Sequence, residues 1–294
     1  MRVSGFSMVR DAVRLHYPVA ESIRSILPIC DEFVIAVGQS EDDTVGRIRA
    51  IGDPKVRIIE TEWNPAHFVH GATNAVQSNL ALDQCIGDWA FYVQADEVVH
   101  EDDLPLIVRA MEQHLDDPRV EGLLFRYLHF WGDFDHYHGA RNWYRHEVRV
   151  VRNVPGMRSW KSAQGFRIEG RRPRVVDTRA RIFHYGWVRP PETMKRKQMA
   201  LDRLHHPEEW VKRRHPQPDV AFDYGPLDHL RHFTGTHPAV MREWIAGKEW
   251  DAADYRRPGT LHEHNRRSVR ALTWIEDHIL RHRLGEYRNY VRID

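Results

Sequence analysis

A chain of 294 residues with a formal charge of +1 carries no global field that would draw it to nucleic acid. Its 41% hydrophobic content suffices for a real core, and 29% charged residues give that core a polar surface. No run approaches the roughly 18–20 apolar residues that span a bilayer, which leaves only peripheral membrane contact open.

The length exceeds a single domain of roughly 100–200 residues, so one large domain with an appendage is expected. The apolar start is broken by Arg10 and Asp11 and does not read as a secretory signal. Cys30 and Cys85 sit in apolar surroundings without CxxC spacing; buried, reduced thiols are expected, as suits a cytoplasmic protein. The 20 histidines include several pairs, but none has a HExxH frame, and surface or helix-face placement is the expectation for most.

Along the first hundred residues, short apolar runs alternate with amphipathic ones. GFSMV (5–9), DEFVIAVG (31–38), KVRIIET (55–61) and DWAFYV (88–93) read as strands, rich in β-branched and aromatic residues and showing little alternation. Between them PVAESIRSIL (18–27), DDTVGRIRAI (42–51) and NAVQSNLALDQCI (74–86) read as helices, the last with Val76, Leu80 and Leu82 or Ala81 inward. That order predicts a parallel, Rossmann-like sheet with helical crossovers. DDLPLIVRAMEQHL (102–115) reads as a further helix. VEGLLFRYLHFWG (120–132), HEVRVVRN (146–153) and RARIFHYGW (179–187) then extend the sheet as a mixed one. From Pro190 helical signals dominate. The expected organisation is therefore a domain over 1–190, its halves about 1–100 and 101–190, and a helical region over 191–294.

Ligands of open α/β sheets bind beyond the carboxyl ends of the strands, so the residues just past each strand matter most. Those positions hold Arg10 and Asp11, then Ser40, Glu41, Asp42 and Asp43, then Glu62, and finally Gln94, Asp96 and Glu97. Acids converging on one edge repel one another unless a cation or a donor-rich ligand sits there. For residues 40–43, capping of the next helix explains the acids as well. For Asp96 it does so poorly, because no helix comes directly after it. The turn MVRDA (8–12) lacks GxGxxG, and neither GxxxxGK[ST] nor GxSxG occurs. Dinucleotide, P-loop and serine-hydrolase chemistry are thereby disfavoured. Acidic strand ends without a glycine cradle imply a divalent metal holding phosphates.

At these residues the chain resembles family 2 glycosyltransferases of the GT-A fold, over about residues 3–200. The segments that carry the resemblance are DEFVIAVGQSEDDT (31–44), NAVQSNLALDQCIGDWAFYVQADEVV (74–99) and RIFHYGWVRPPETMKRKQ (181–198), in the family's order. The resemblance implies an α/β, Rossmann-like mixed sheet flanked by helices, with the helical C-terminal region as an appendage. It also implies transfer of a sugar from a nucleotide-sugar donor, UDP- or GDP-linked, to a carbohydrate or glycolipid hydroxyl, with Mn²⁺ or Mg²⁺ as cofactor.

By that resemblance Asp96 is the last acid of the DxD motif and binds the metal, and Asp43 meets the base or ribose. His184 completes the metal shell, unless it is a strand histidine packed under the helices. Arg189 and Lys195 either supplement diphosphate binding or lie on a solvated helix face. Two departures stand out. Gln94 replaces the first DxD acid, and the stretch Trp160 to Gln164 lacks the carboxylate expected there as base. The base candidates are then Glu97, Glu147, Asp133 and Asp135, for an inverting single displacement. Trp131, Trp143, Tyr144 and Trp187 either wall an acceptor site or pack in the core. A GT-A frame that has lost catalysis and serves as a binding or scaffold protein, or less so a nucleotidyltransferase, is the alternative.

Overall fold

The computed structural model describes residues 1–64, 72–259 and 261–293. Its centre is a mixed sheet. Strands β1 (Val3–Val9), β2 (Glu32–Gly38), β3 (Val56–Thr61) and β4 (Trp89–Tyr92) lie parallel in the order β3-β2-β1-β4. Three of the four, β1, β2 and β4, are buried almost throughout because both faces are covered. In β2, Phe33, Ile35 and Val37 enter one core layer while Val34 and Ala36 enter the other, as the two-residue period of a strand requires. The first layer is closed by α1 (Val19–Ile26), α2 (Thr44–Arg49) and α4 (Leu104–Gln113), which contribute Ile23, Ile48 and Ile107. The second is closed by α3 (Ala72–Leu82) through Ala81 and Leu82.

Within α3 Ala81 and Leu82 face inward as expected, but Val76 and Leu80 do not. Leu80 is 42% exposed and Val76 half-buried, whereas Gln77 and Ser78 are buried. Hydrogen bonding decides the rotation: Gln77 accepts from the Thr61 hydroxyl at 2.5 Å and donates to the Glu62 carbonyl at 2.9 Å. A buried amide satisfied on both sides fixes the helix face where a leucine would only have filled space.

Beyond the short β5 (Glu97–Val99) the sheet continues as expected for a mixed extension. Strands β6 (Gly122–Trp131) and β8 (His146–Arg152) pair antiparallel, β8 joins β4, and β7 (His136–His138) pairs with β6. A separate hairpin, β9 (Met157–Trp160) and β10 (Gly165–Ile168), covers the second core layer. The long β11 (Arg174–Trp187) runs parallel to β6 and antiparallel to β5. The result is the α/β mixed sheet flanked by helices that a GT-A, Rossmann-like frame implies.

Residues after 190 form α5 (Pro191–His205), α6 (Glu208–Arg214), α7 (Arg242–Ala246) and α8 (Arg267–Ile275). Two short strands, β12 (Arg231–His232) and β13 (Val291–Arg292), return to pair with β7 and β11. Among the described residues no helix is long and apolar enough to cross a membrane. Both cysteines are free and buried, and burial pushes the Cys85 thiol up to about 12.

One surface tie sets an acid-sensitive seam. Glu121, ahead of β6, accepts both Arg171 guanidinium nitrogens at 2.6 and 2.8 Å, the Arg174 amide at 2.8 Å and its side chain at 2.9 Å. Burial alone would raise the Glu121 pKa, but these donors outweigh it and bring the group to about 2, against an ordinary 4.5. A folded-state value below the unfolded one stabilises above pH 4.5 and loses that contribution as pH falls toward 2. The arginines are 49% and 42% exposed, so solvent screening holds the expected effect to roughly 1–2 kcal/mol. Glu121→Gln should therefore lower stability by that amount at pH 7. In urea titrations the gap to wild type should close by pH 2; a gap independent of pH would refute the assignment.

Candidate active site

Because β1, β2 and β4 run parallel, their carboxyl ends deliver three loops to one edge of the sheet. Behind that edge lies a cavity of about 600 Å³. Arg10 and Asp11 from β1, Gln94 and Asp96 from β4, His184 from β11 and Lys197 from α5 reach its lining. Ser40 and Asp11 lock the first two loops together. The Asp11 amide donates to Ser40 Oγ at 3.0 Å, and its carboxylate accepts the Glu41 amide at 2.9 Å. Asp11 is buried with a left-handed φ of 53°, a conformation that costs an L-residue energy and is repaid here by these bonds. Its other oxygen accepts Arg14 Nη2 at 2.9 Å.

Asp43 falls outside the cavity lining. It is exposed and precedes α2, where its carbonyl accepts the Arg47 amide at 3.0 Å. Asp42, by contrast, turns back to the β1 loop and accepts the Arg14 amide at 2.6 Å and the Thr44 amide at 3.0 Å. The acidic turn thus serves loop and helix closure here, and Asp43 does not join Asp96 and His184 in the cavity lining.

Asp96 is the charged centre of the cavity. It is nearly buried, and its Oδ2 accepts Lys197 Nζ at 2.9 Å. Arg189 Nη2 stands 3.7 Å from the same oxygen, and His184 Nε2 stands 3.9 Å from Oδ1. Burial alone would raise the carboxyl's pKa, but Lys197, His184 and Arg189 together hold it far below the usual carboxylate range. Burial likewise lowers Lys197 to about 8. Gly186 makes this crowding possible: Lys197 Nζ donates to its carbonyl at 2.7 Å, and a Cβ at that position would overlap the His184 ring. Arg189 is fully buried; Nη1 donates to the Leu15 carbonyl at 2.7 Å, and among the described residues Nε and Nη2 have no hydrogen-bond partner.

Behind His184 a second imidazole fixes its state. His129 Nε2 lies 2.8 Å from the Tyr144 carbonyl, which only accepts, so that nitrogen carries the proton. Burial depresses the pKa of both rings and keeps them neutral. His129 Nδ1 is then an acceptor, and His184 Nδ1, 2.9 Å away, donates to it. The network therefore assigns His184 the tautomer whose Nε2 lone pair faces Asp96 across the cavity edge. Trp63, Trp143, Tyr144 and Trp187 supply aromatic walls. Trp131 does not: it is 1% exposed, stacked on Trp187 at 4.7 Å, with its Nε1 donating to the Tyr224 carbonyl.

The donor set suits a resident divalent ion poorly. Two atoms, Asp96 Oδ1 and His184 Nε2, are placed to ligate, while Asp96 Oδ2 is taken by Lys197 and the Gln94 amide donates to the Ala163 carbonyl at 3.2 Å. One carboxylate beside two buried cations leaves the cluster positive before any ion arrives. Among the described residues no group of three or more His, Cys, Asp or Glu is arranged to hold a metal.

None of the four carboxylates expected as base lines the cavity. Glu97 is fully buried; Arg149 Nε and Nη2 each donate to it at 2.8 Å, and the Tyr127 hydroxyl donates at 2.8 Å. Glu147 is buried against the Asn289 amide at 3.0 Å, and burial raises its pKa. Asp133 ties the β6–β7 turn, accepting the Asp135 and His136 amides at 2.9 and 2.8 Å; Asp135 is exposed. Lys197 and His129 are the site residues that the sequence pattern did not reveal. Lys197 carried a signal, since it falls three residues after Met194 on the buried face of α5. A charged residue in that stripe needs a partner.

No family model matches the chain, and none of the curated proteins matches it. Solved structures do. S. aureus TarS is 12% identical with a TM-score of 0.39, covering 68% of this chain and 39% of that one. A TarS 1–349 structure is 12% identical with a TM-score of 0.38, covering 72% and 68%. Glucosyl-3-phosphoglycerate synthase from Mycobacterium tuberculosis, in complex with Mn²⁺, UDP and phosphoglyceric acid, is 16% identical with a TM-score of 0.31, covering 44% and 43%. The chain thus spans less than half the length of the first and the last of these.

Proposed function

We propose that the chain transfers a sugar from a nucleoside-diphosphate sugar, UDP- or GDP-linked, to a hydroxyl of a carbohydrate or glycolipid acceptor. The observation that carries this reading is Asp96 at the carboxyl end of β4, set among Lys197, Arg189 and His184 at the edge of a cavity of about 600 Å³. That volume is ordinary for a ligand of this size, and its position beyond parallel strand ends is where such sheets bind nucleotides. Trp143, Trp187 and Tyr144 offer flat apolar faces for the C–H side of a sugar ring.

In the reaction the acceptor oxygen bonds to C1 of the sugar as the C1–O bond to the diphosphate breaks, inverting C1 and releasing the nucleoside diphosphate. The acceptor proton passes to His184 Nε2, the unprotonated nitrogen at the cavity edge. Asp96 is a poor base, because its cationic neighbours stabilise the charged form.

Screening UDP-, GDP-, dTDP- and CMP-sugars by thermal shift tests the reading. A true donor at 100 times its Kd adds about 2.7 kcal/mol, hence a rise of roughly 5–10 °C in Tm. A flat response to all four ends the proposal. A second reading, a nucleotide-sugar binding protein without turnover, is favoured by the absence of the four expected carboxylates from the cavity lining. Release of nucleoside diphosphate on adding an acceptor mixture separates it from the first.

A further inference from the structure

Lys197 is the feature of the cavity that neither composition nor motif accounts for. Burying an ammonium is costly unless it is paired, and this one is paired with the carboxylate expected to bind a metal. Lys197 Nζ has three donors; two go to Asp96 and to the Gly186 carbonyl, and the side chain lines the cavity. Behind it Arg189 is fully buried, 3.7 Å from Asp96 and over the Tyr17 ring at 4.7 Å, with no hydrogen-bond partner for Nε and Nη2 among the described residues. Two buried cations on one carboxylate leave a net positive charge at the cavity wall. Such an excess is stable only where an anion completes it.

Resting on the glycosyl-transfer reading, we propose that Lys197, backed by Arg189, is a built-in cation that binds the diphosphate of the nucleotide donor without a divalent ion and, by occupying Asp96, keeps one from binding there alone. The ammonium does the electrostatic work of a metal. It sits on Asp96 before the donor arrives, and a diphosphate then meets a fixed positive wall. A dication approaching the same carboxylate would have to displace Lys197 and sit beside Arg189, which like-charge repulsion opposes.

The test is calorimetric titration of UDP and GDP into the full chain, in EDTA and in Mn²⁺, together with Mn²⁺ alone followed by the electron-spin signal of the free ion. One of the two nucleotides should bind equally well in both buffers, and Mn²⁺ alone should remain free at submillimolar concentration. Lys197→Met should weaken metal-free nucleotide binding by roughly 10–100-fold, the worth of a hydrogen bond to a charged group, while Mn²⁺ alone now binds. Lys197→Arg should restore metal-free binding. Opposite movement of the two affinities is something a purely structural lysine would not produce. If Lys197→Met fails to fold, the wild-type comparison and Lys197→Arg decide. Nucleotide binding that requires Mn²⁺ overturns this inference and leaves sugar transfer standing. Failure of both nucleotides to bind in either buffer overturns both.

Discussion

Replacing His184 by asparagine is expected to lower turnover at least roughly 100-fold, the usual contribution of a positioned general base, with nucleotide affinity little changed. Asparagine keeps a donor where Nδ1 meets His129 and deletes the Nε2 lone pair, so the cavity wall survives while the proton acceptor does not. The pH profile provides the sign. Burial lowers the His184 pKa from its usual 6.5, against the opposing pull of Asp96 and Glu97. The accepting form is therefore populated throughout the neutral range, so the limb of kcat/KM that His184 sets should fall only as pH drops below 6.5. His129 acts through His184 and is a positioning residue. His129→Phe should reduce kcat more than it raises KM, because the tautomer of His184 is no longer fixed. An unchanged kcat in His184→Asn would remove the imidazole from the mechanism.

The largest loss of stability is expected at Glu97. Its ion pair with Arg149 joins β5 to β8 with both side chains at 0% exposure, and Arg149 is further satisfied by the Val148 and Gln164 carbonyls at 2.9 and 2.8 Å. Its guanidinium also lies 5.4 Å from the Tyr92 ring and 5.2 Å from that of Tyr127. Removing one partner of a buried pair strands the other charge, at roughly 3–5 kcal/mol. Glu97→Gln should therefore lower Tm by roughly 10 °C, at about 2–4 °C per kcal/mol for a chain near this size. Adding Arg149→Met to that variant should recover a large part of the loss, because the stranded charge goes with it. Additive losses in the two single variants and the double one would show that the pair is not coupled. The same experiment separates a structural Glu97 from a catalytic one: Arg149→Met in the Glu97→Gln background would not rescue a missing base.

Much of this architecture was written in short-range pattern. The short, mainly apolar runs of β1, β2 and β4, with little alternation, announce strands covered on both faces, and the loops after them are where chemistry had to be sought. Asp96 and His184 were legible because one lies just past a strand end and both stand in recognisable company. What local pattern could not supply is the partner of each charged group. Lys197 meets Asp96 across 101 residues and Arg149 meets Glu97 across 52, so no window of sequence contains either pair. An acid at a strand end looks the same whether it awaits a metal, as expected for Asp96, or already holds a lysine. Asp43 and Asp42 are equally acidic neighbours, yet the geometry of one turn sends Asp42 back to the β1 loop and leaves Asp43 in solvent. Hydrophobic periodicity reports which faces are buried; only the tertiary crossing of β4, β11 and α5 decides which buried charges neutralise one another, because that depends on ångström distances between segments far apart in the chain.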